Sequence, residues 1–132
     1  MTREWETAVR RGSVDELQRL WNSGAAIDAR DQHSQTALML AAAAGSVSLV
    51  EWLIERGAAL DHTAKYGLSA LMLAVVRGHV DVVRRLAAAR ANTSLRGTGP
   101  PGFAGKTALD LAIARADPEI VEILRLAAGR AT

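Results

Sequence analysis

The spacing of the glycines constrains this chain most. Gly12, Gly45 and Gly78 stand 33 residues apart, Gly24 and Gly57 keep the same interval, and so do Asp28 and Asp61. The segment Thr36-Ala37-Leu38-Met39-Leu40-Ala41 recurs at that interval as Ser69-Ala70-Leu71-Met72-Leu73-Ala74. It recurs again, five residues late, as Thr107-Ala108-Leu109-Asp110-Leu111-Ala112. A period of this length marks a stack of short supersecondary units. A unit so thin cannot bury its apolar face alone, so neighbouring units must cover one another.

Each copy reads as two short helices. The first opens at a hydroxyl N-cap, Thr36, Ser69 or Thr107, which can accept from free backbone N–H groups. Apolar residues then fall at helical spacing: Leu38, Ala41 and Ala42; Leu71, Ala74 and Val75; Leu109, Ala112 and Ile113. The second helix starts after Gly45, Gly78 or Ala116. Its expected buried stripe is Val47, Val50, Leu53 and Ile54 in one unit and Val80, Val83, Leu86 and Ala87 in the next. Gly57 suits a helix C′ position, and Asp117-Pro118 suits a helix start.

These motifs resemble the ankyrin repeat, whose pattern runs Gly, any residue, T-P-L-H-x-A, then G-H-x-x-I-V-x-x-L-L and G-A-D. Here the matching stretches are Gly67-Leu68-Ser69-Ala70-Leu71-Met72-Leu73-Ala74, Gly78-His79-Val80-Asp81-Val82-Val83 and Gly57-Ala58-Ala59. Ala replaces Pro, and Met or Asp replaces His at the helix start, which is expected to weaken capping. The resemblance covers nearly the whole chain. It implies an all-α repeat solenoid of about four stacked helix-turn-helix units with short β-turn or hairpin fingers.

By this register residues 1–132 are expected to form a single domain, with units at about 2–30, 31–63, 64–101 and 102–132. The first unit, with helices at Arg3–Arg11 and Val14–Asn22, reads as an N-terminal cap. In it Trp5 takes the place of an inward Leu, and Trp21 is expected on the inner face of its helix. The last unit carries Arg125 where others hold an apolar residue, as a C-terminal cap would.

Composition narrows the chemistry. There is no cysteine, which removes disulfides, zinc-thiolate sites and thiol nucleophiles. The charged N-terminus is not a secretory signal, and the run Ala37 to Val50 is too short to span a bilayer. A cytoplasmic location with no membrane contact is therefore expected, and arginine-rich, lysine-poor usage suits a GC-rich bacterial genome. The histidines, His33, His62 and His79, sit at no metal-ligand spacing, so no metal is expected. His79 holds the family's G-H position, where the resemblance implies a structural role.

The stretch Gly99-Pro100-Pro101-Gly102-Phe103-Ala104-Gly105-Lys106-Thr107 ends in G-K-T before a helix, as a phosphate loop does. The spacing requires glycine at Pro100, which has no N–H to offer a phosphate. No apolar strand precedes it. Neither a nucleotide nor any other cofactor is expected, and no catalytic set is visible.

The resemblance implies a partner-binding surface made of the fingers and the exposed ends of the first helices. In this chain those positions are Arg30, Gln32, His33, Lys65, Tyr66, Arg96 and Phe103 on the fingers. Arg10, Arg11, Arg77 and Arg115 fall at the helix ends, with Lys106 beside them. Asp31 and Asp110 are the acidic exceptions. Most acids fall instead on the second helices: Asp15, Glu16, Glu51, Glu55, Asp81, Glu119 and Glu122. The formal charge of only +2 thus conceals a basic groove suited to an acidic protein partner.

The five-residue insertion after Arg96 gives a long finger that its glycines are expected to keep mobile, with prolines that block ladder bonds. Phe103 there is either an exposed anchor or folded back on the last repeat. Trp52 is expected on the outer side of its helix, stacked between Arg19 and Arg85. The expected function is non-catalytic protein–protein interaction by a monomer. Two alternatives stay open, a structural spacer in a larger assembly and nucleic-acid binding through the arginines. The few aromatics count against the second.

Overall fold

The computed structural model describes residues 1–130. They form eight α-helices: α1 (Arg3–Arg11), α2 (Val14–Asn22), α3 (Ala37–Ala44), α4 (Val47–Glu55), α5 (Ala70–Arg77), α6 (Val80–Ala88), α7 (Ala108–Arg115) and α8 (Pro118–Arg130). The first helices α1, α3, α5 and α7 pack side by side in one layer. The second helices α2, α4, α6 and α8 pack in the other, and each pair is antiparallel across a tight turn. This is the stacked all-α architecture that the sequence period predicts.

Short polar side chains cap six of the eight helices, all but α4 and α6. Oxygens of Thr2, Ser13, Thr36, Ser69 and Thr107 each accept from the backbone N–H three residues on. The Asp117 carboxylate does the same for α8, accepting from Ile120 N–H at 3.2 Å. The expected weakening of the caps holds for only one of the two substituted residues. Met39 offers the Thr36 N–H only a thioether sulfur at 3.5 Å, whereas the Asp110 carboxylate takes the Thr107 N–H at 3.0 Å. A carboxylate at this position completes a capping box and also favours the helix dipole.

Left-handed residues close the first helices: Gly12, Gly45 and Gly78 end α1, α3 and α5 with φ of 68°, 76° and 73°. At the end of α7 the same conformation falls to Ala116, with φ 59°. An alanine there carries a Cβ penalty that glycine lacks. Ala116→Gly is therefore expected to raise the unfolding free energy by about 1 kcal/mol, read by urea denaturation. A neutral or destabilising result would mean that Ala116 packs favourably enough to offset its backbone strain.

Buried apolar residues run unbroken through both layers, from Trp5, Ala8, Val9 and Leu17 to Ile120 and Leu124. The buried sector of the second helices differs from the sequence stripe. Leu49, Val50, Trp52 and Leu53 are buried in α4, while Val47 and Ile54 are only half-buried. In α6, Val82 joins Val83, Leu86 and Ala87, and Val80 is half-buried. Each inner second helix touches its own first helix and a second helix on either side. Its buried sector is therefore wider than, and rotated from, the stripe expected of a helix with one covered face. Ile113 departs too, being 52% exposed. Its equivalents Ala42 and Val75 are covered by the next first helix, and among the described residues none follows α7.

Carboxylates tie one unit to the next. Asp28 accepts from the Ala59 N–H at 2.9 Å, and Asp61 accepts from the Asn92 N–H at 2.8 Å. The repeated aspartates thus satisfy repeated backbone donors. Carbonyls at the ends of the first helices are met from the following unit as well. The His79 ring lies with Nε2 3.0 Å from the Ala43 carbonyl, and Arg115 donates to the Val76 carbonyl at 3.1 Å. The structural role expected of His79 is this contact.

Trp52 is not stacked between Arg19 and Arg85. It is 6% exposed, and its indole N–H donates to Gln18 Oε1 at 3.1 Å. Arg56 lies over its ring at 4.2 Å from the centroid. Arg19 pairs with Glu16 and Arg85 with Glu51. Trp21 is 38% exposed and meets Trp52 edge-on at 6.4 Å, so it sits at the margin of the core. The large ring of Trp52 tips into the gap between α2 and α4, where burial and these polar contacts outweigh a place on the surface.

Candidate interaction surface

The finger turns and the ends of the first helices carry the groove. Among the described residues the fingers contain no strand. Their pairing is limited to single bridges, Thr63 with Ser69 and Gly97 with Ala104, and a 3-10 turn at Lys65–Gly67. The first finger is shaped by Asp31, whose carboxylate accepts from the N–H groups of His33 and Gln35 at 2.8 and 2.9 Å. Such a turn directs the side chains of Gln32 and His33 outward, and both are exposed. Arg30, also exposed, reaches the next finger, with a guanidinium nitrogen 2.8 Å from His62 Nδ1.

Arginines fall at the ends of α1, α5 and α7, where the helix dipole favours a positive charge. Arg10, Arg11, Arg77 and Arg115 are all exposed. Arg10 and Arg77 flank an open depression of about 370 Å³ whose other walls are Val9, Gln35, Leu40, Ala43 and Ala44. The smallness of Ala43 and Ala44 leaves that space. Nothing in the sequence singles out Val9, Gln35 and Leu40, because the apolar pair fits the core pattern and Gln35 is an ordinary turn residue. Arg115 turns back to the Val76 carbonyl and lies against the backbone of Gly78, so its guanidinium is already engaged.

The inserted finger is bonded where mobility was expected. Gly97 N–H donates to the Lys106 carbonyl at 2.8 Å, and Gly105 N–H donates back to Gly97 at 2.9 Å. Arg96 donates to the Gly105 carbonyl at 2.7 Å, and Thr98 N–H donates to the Tyr66 carbonyl at 2.7 Å. Pro100 and Pro101 lie at the tip, outside these bonds. Phe103 folds onto the preceding finger rather than the last repeat, its ring stacked on Tyr66 at 5.5 Å and 18°.

Similar bonds engage the G-K-T stretch. The amides of Gly105 and Lys106 are taken by loop carbonyls, and that of Thr107 by Asp110. At the start of α7 the Thr107 N–H is thus already held by a carboxylate. The backbone N–H of Thr107 bonded to Asp110 holds its carboxyl below the ordinary value of 3.8, with Lys106 and Arg96 adding to the effect and slight burial opposing it. Among the described residues no cluster of His, Cys, Asp or Glu could hold a metal ion, and no helix is long and apolar enough to cross a membrane.

The family model for ankyrin repeats in three copies matches residues 6–97 and 60–130. The chain belongs to the ankyrin-repeat family. Ankyrin repeats are generally protein–protein interaction modules and are typically non-catalytic. No curated protein matches the sequence. In this ankyrin-repeat chain four of the seven acids of the second-helix layer, Glu16, Glu51, Glu55 and Glu119, pair with arginines of that layer. Glu16 faces Arg19 at 3.4 Å, Glu51 faces Arg85 at 3.1 Å and Glu119 faces Arg84 at 3.0 Å. On the groove side Arg10 meets Glu6 at 3.6 Å, while Arg11 and Arg77 enter no ion pair among the described residues.

Proposed function

We propose that this ankyrin-repeat chain binds a protein partner through the groove of its first-helix layer and its fingers, and that the partner presents an acidic surface there. The observation that carries the reading is the uneven matching of charge. Glu16, Glu51, Glu55 and Glu119 of the second-helix layer have arginine partners on that layer, whereas Arg11 and Arg77 have no carboxylate beside them among the described residues. An exposed positive field next to an apolar-floored depression favours encounter with carboxylates and leaves room for an apolar side chain. Arg10, Arg11 and Arg77 form the centre of this surface, with Arg30, Gln32, His33, Lys65, Tyr66, Arg96, Phe103 and Lys106 along the fingers. Arg115 contributes charge at the far end, although exchanging it would also disturb the end of α5.

Paired affinity capture with the native chain and an Arg11→Glu/Arg77→Glu variant, followed by calorimetric titration of the captured partner, tests this reading. Both arginines are exposed and outside the ion pairs of the described residues, so the variant should stay folded, with a midpoint lowered only by the helix-dipole loss of about 0.3–1 kcal/mol at each site. The expected result is a loss of affinity of more than about tenfold for a partner that binds better at low salt. Equal affinity for both chains would move the site off the groove.

A further inference from the structure

The insertion that distinguishes the third unit builds something the regular repeat lacks. Tyr66, at the tip of its finger, has φ of 64°, a left-handed conformation that an aromatic residue rarely adopts. The inserted loop supports it there. Thr98 N–H takes the Tyr66 carbonyl, Phe103 stacks on the ring, and Gly99 lies so close that an added Cβ would stand 2.7 Å from Tyr66 Cδ1. Gly97 has no room for a side chain against the Phe103 backbone. The two fingers are therefore joined into one bonded unit, and its rings are half-buried rather than hidden.

One cation lies over a ring, and two more stand on the inserted loop. Lys65 Nζ lies 4.9 Å from the centroid of Tyr66, and Lys65, Arg96 and Lys106 are exposed. None of the three is in an ion pair among the described residues. The one acid beside them, Asp110, is committed to the cap of α7, and its carboxyl is held below its ordinary value first by the Thr107 N–H and then by Lys106 and Arg96. Lys65, Arg96 and Lys106 outnumber this single carboxylate, so the charge beside the rings stays positive.

We propose that the joined fingers form a preorganised platform, Tyr66 stacked on Phe103 with Lys65 over the Tyr66 ring and exposed Lys106 on the same loop, that docks an acidic peptide segment of the partner. This rests on the interaction reading above and adds a second anchor, apart from the Arg10–Arg77 depression. Charge complementarity selects carboxylates, and half-buried rings held in place give apolar contact at little ordering cost. Because the loop is already bonded in the free chain, binding does not have to order it.

Fluorescence anisotropy of a labelled short oligoglutamate peptide at low ionic strength tests the platform on the full chain. The native chain is expected to bind, and Lys65→Ala/Lys106→Ala is expected to weaken binding about tenfold. Phe103→Ala should weaken it also, with charge unchanged. The Arg11→Glu/Arg77→Glu chain should lose less than the lysine variant. If the groove variant loses oligoglutamate and the lysine variant keeps it, the platform is overturned and the groove reading stands. No binding by the native chain overturns the platform too. A labelled oligothymidylate of similar charge bound more tightly than the peptide, and lost with the same lysines, would overturn the acidic-peptide assignment in favour of nucleic acid.

Discussion

Trp52→Ala is expected to lower the unfolding free energy by about 3–5 kcal/mol. Trp52 is 6% exposed and touches Trp5 and Trp21, with ring centroids 6.3 and 6.4 Å away. Its removal leaves a cavity at the joint between α2 and α4. It also removes the ring beneath Arg56 and one of the two donors to Gln18 Oε1, the other being Arg56 Nη2 at 2.7 Å. Trp52→Phe separates these contributions, because it keeps an aromatic face for Arg56 and gives up the indole N–H. Its loss should be nearer about 1–2 kcal/mol. Urea denaturation followed by far-ultraviolet circular dichroism measures both. A loss below about 1 kcal/mol for the alanine variant would show that α2 closes over the gap and that the network adds little.

The second large effect is expected at Gly45. Its φ is 76°, and a Cβ there would stand 2.7 Å from Nδ1 of His79. Gly45→Ala therefore carries a left-handed alanine, about 1 kcal/mol, and pushes the imidazole off the Ala43 carbonyl, a further loss of about 1 kcal/mol or more. The total expected is about 2–3 kcal/mol by urea denaturation. His79→Ala alone should cost about 1 kcal/mol, and the double variant should be little worse than Gly45→Ala, since the clash is then gone. Additive losses would mean that ring and glycine do not act on each other. Ala116 tolerates the same backbone region, so a large effect at Gly45 must come mainly from what stands above it.

The repeat was legible because its signals are local. A hydroxyl at the start of each first helix, a glycine at the end of α1, α3 and α5 and a fixed interval are properties of adjacent residues, and the bounds of α1 and α2 follow from such signals. Trp52 was not legible for the opposite reason. Arg19, Trp52 and Arg85 hold equivalent positions 33 residues apart, and periodicity gives equivalent positions one environment. The structure gives Trp52 another, because Gln18 and Arg56 offer it polar partners and the α2–α4 gap has room for the ring. Ile113 shows the same limit at the stack's end, since its environment depends on the neighbour and not on its own sequence.

The candidate surface was legible as a set of positions but not as an arrangement. The sequence marks Arg77 and Arg115 as equivalents of Ala44, with nothing to tell them apart. Only the fold shows that one projects freely beside the depression while the other bends back to a carbonyl. Composition suggested a mobile loop between Gly97 and Gly105. What holds it is a set of bonds to Lys106, Gly105 and Tyr66, and such pairing of backbone groups leaves no mark in residue type.

All three tryptophans lie in the first two helix pairs: Trp5 in α1, Trp21 in α2 and Trp52 in α4. The chain's intrinsic emission is therefore a one-ended gauge. It brightens or shifts when the α2–α4 joint opens, and it is blind to α6, α7 and α8. Backbone ellipticity, by contrast, weighs every helix alike. Where the two signals part company along a denaturation curve, the order in which they move tells from which end the stack comes undone.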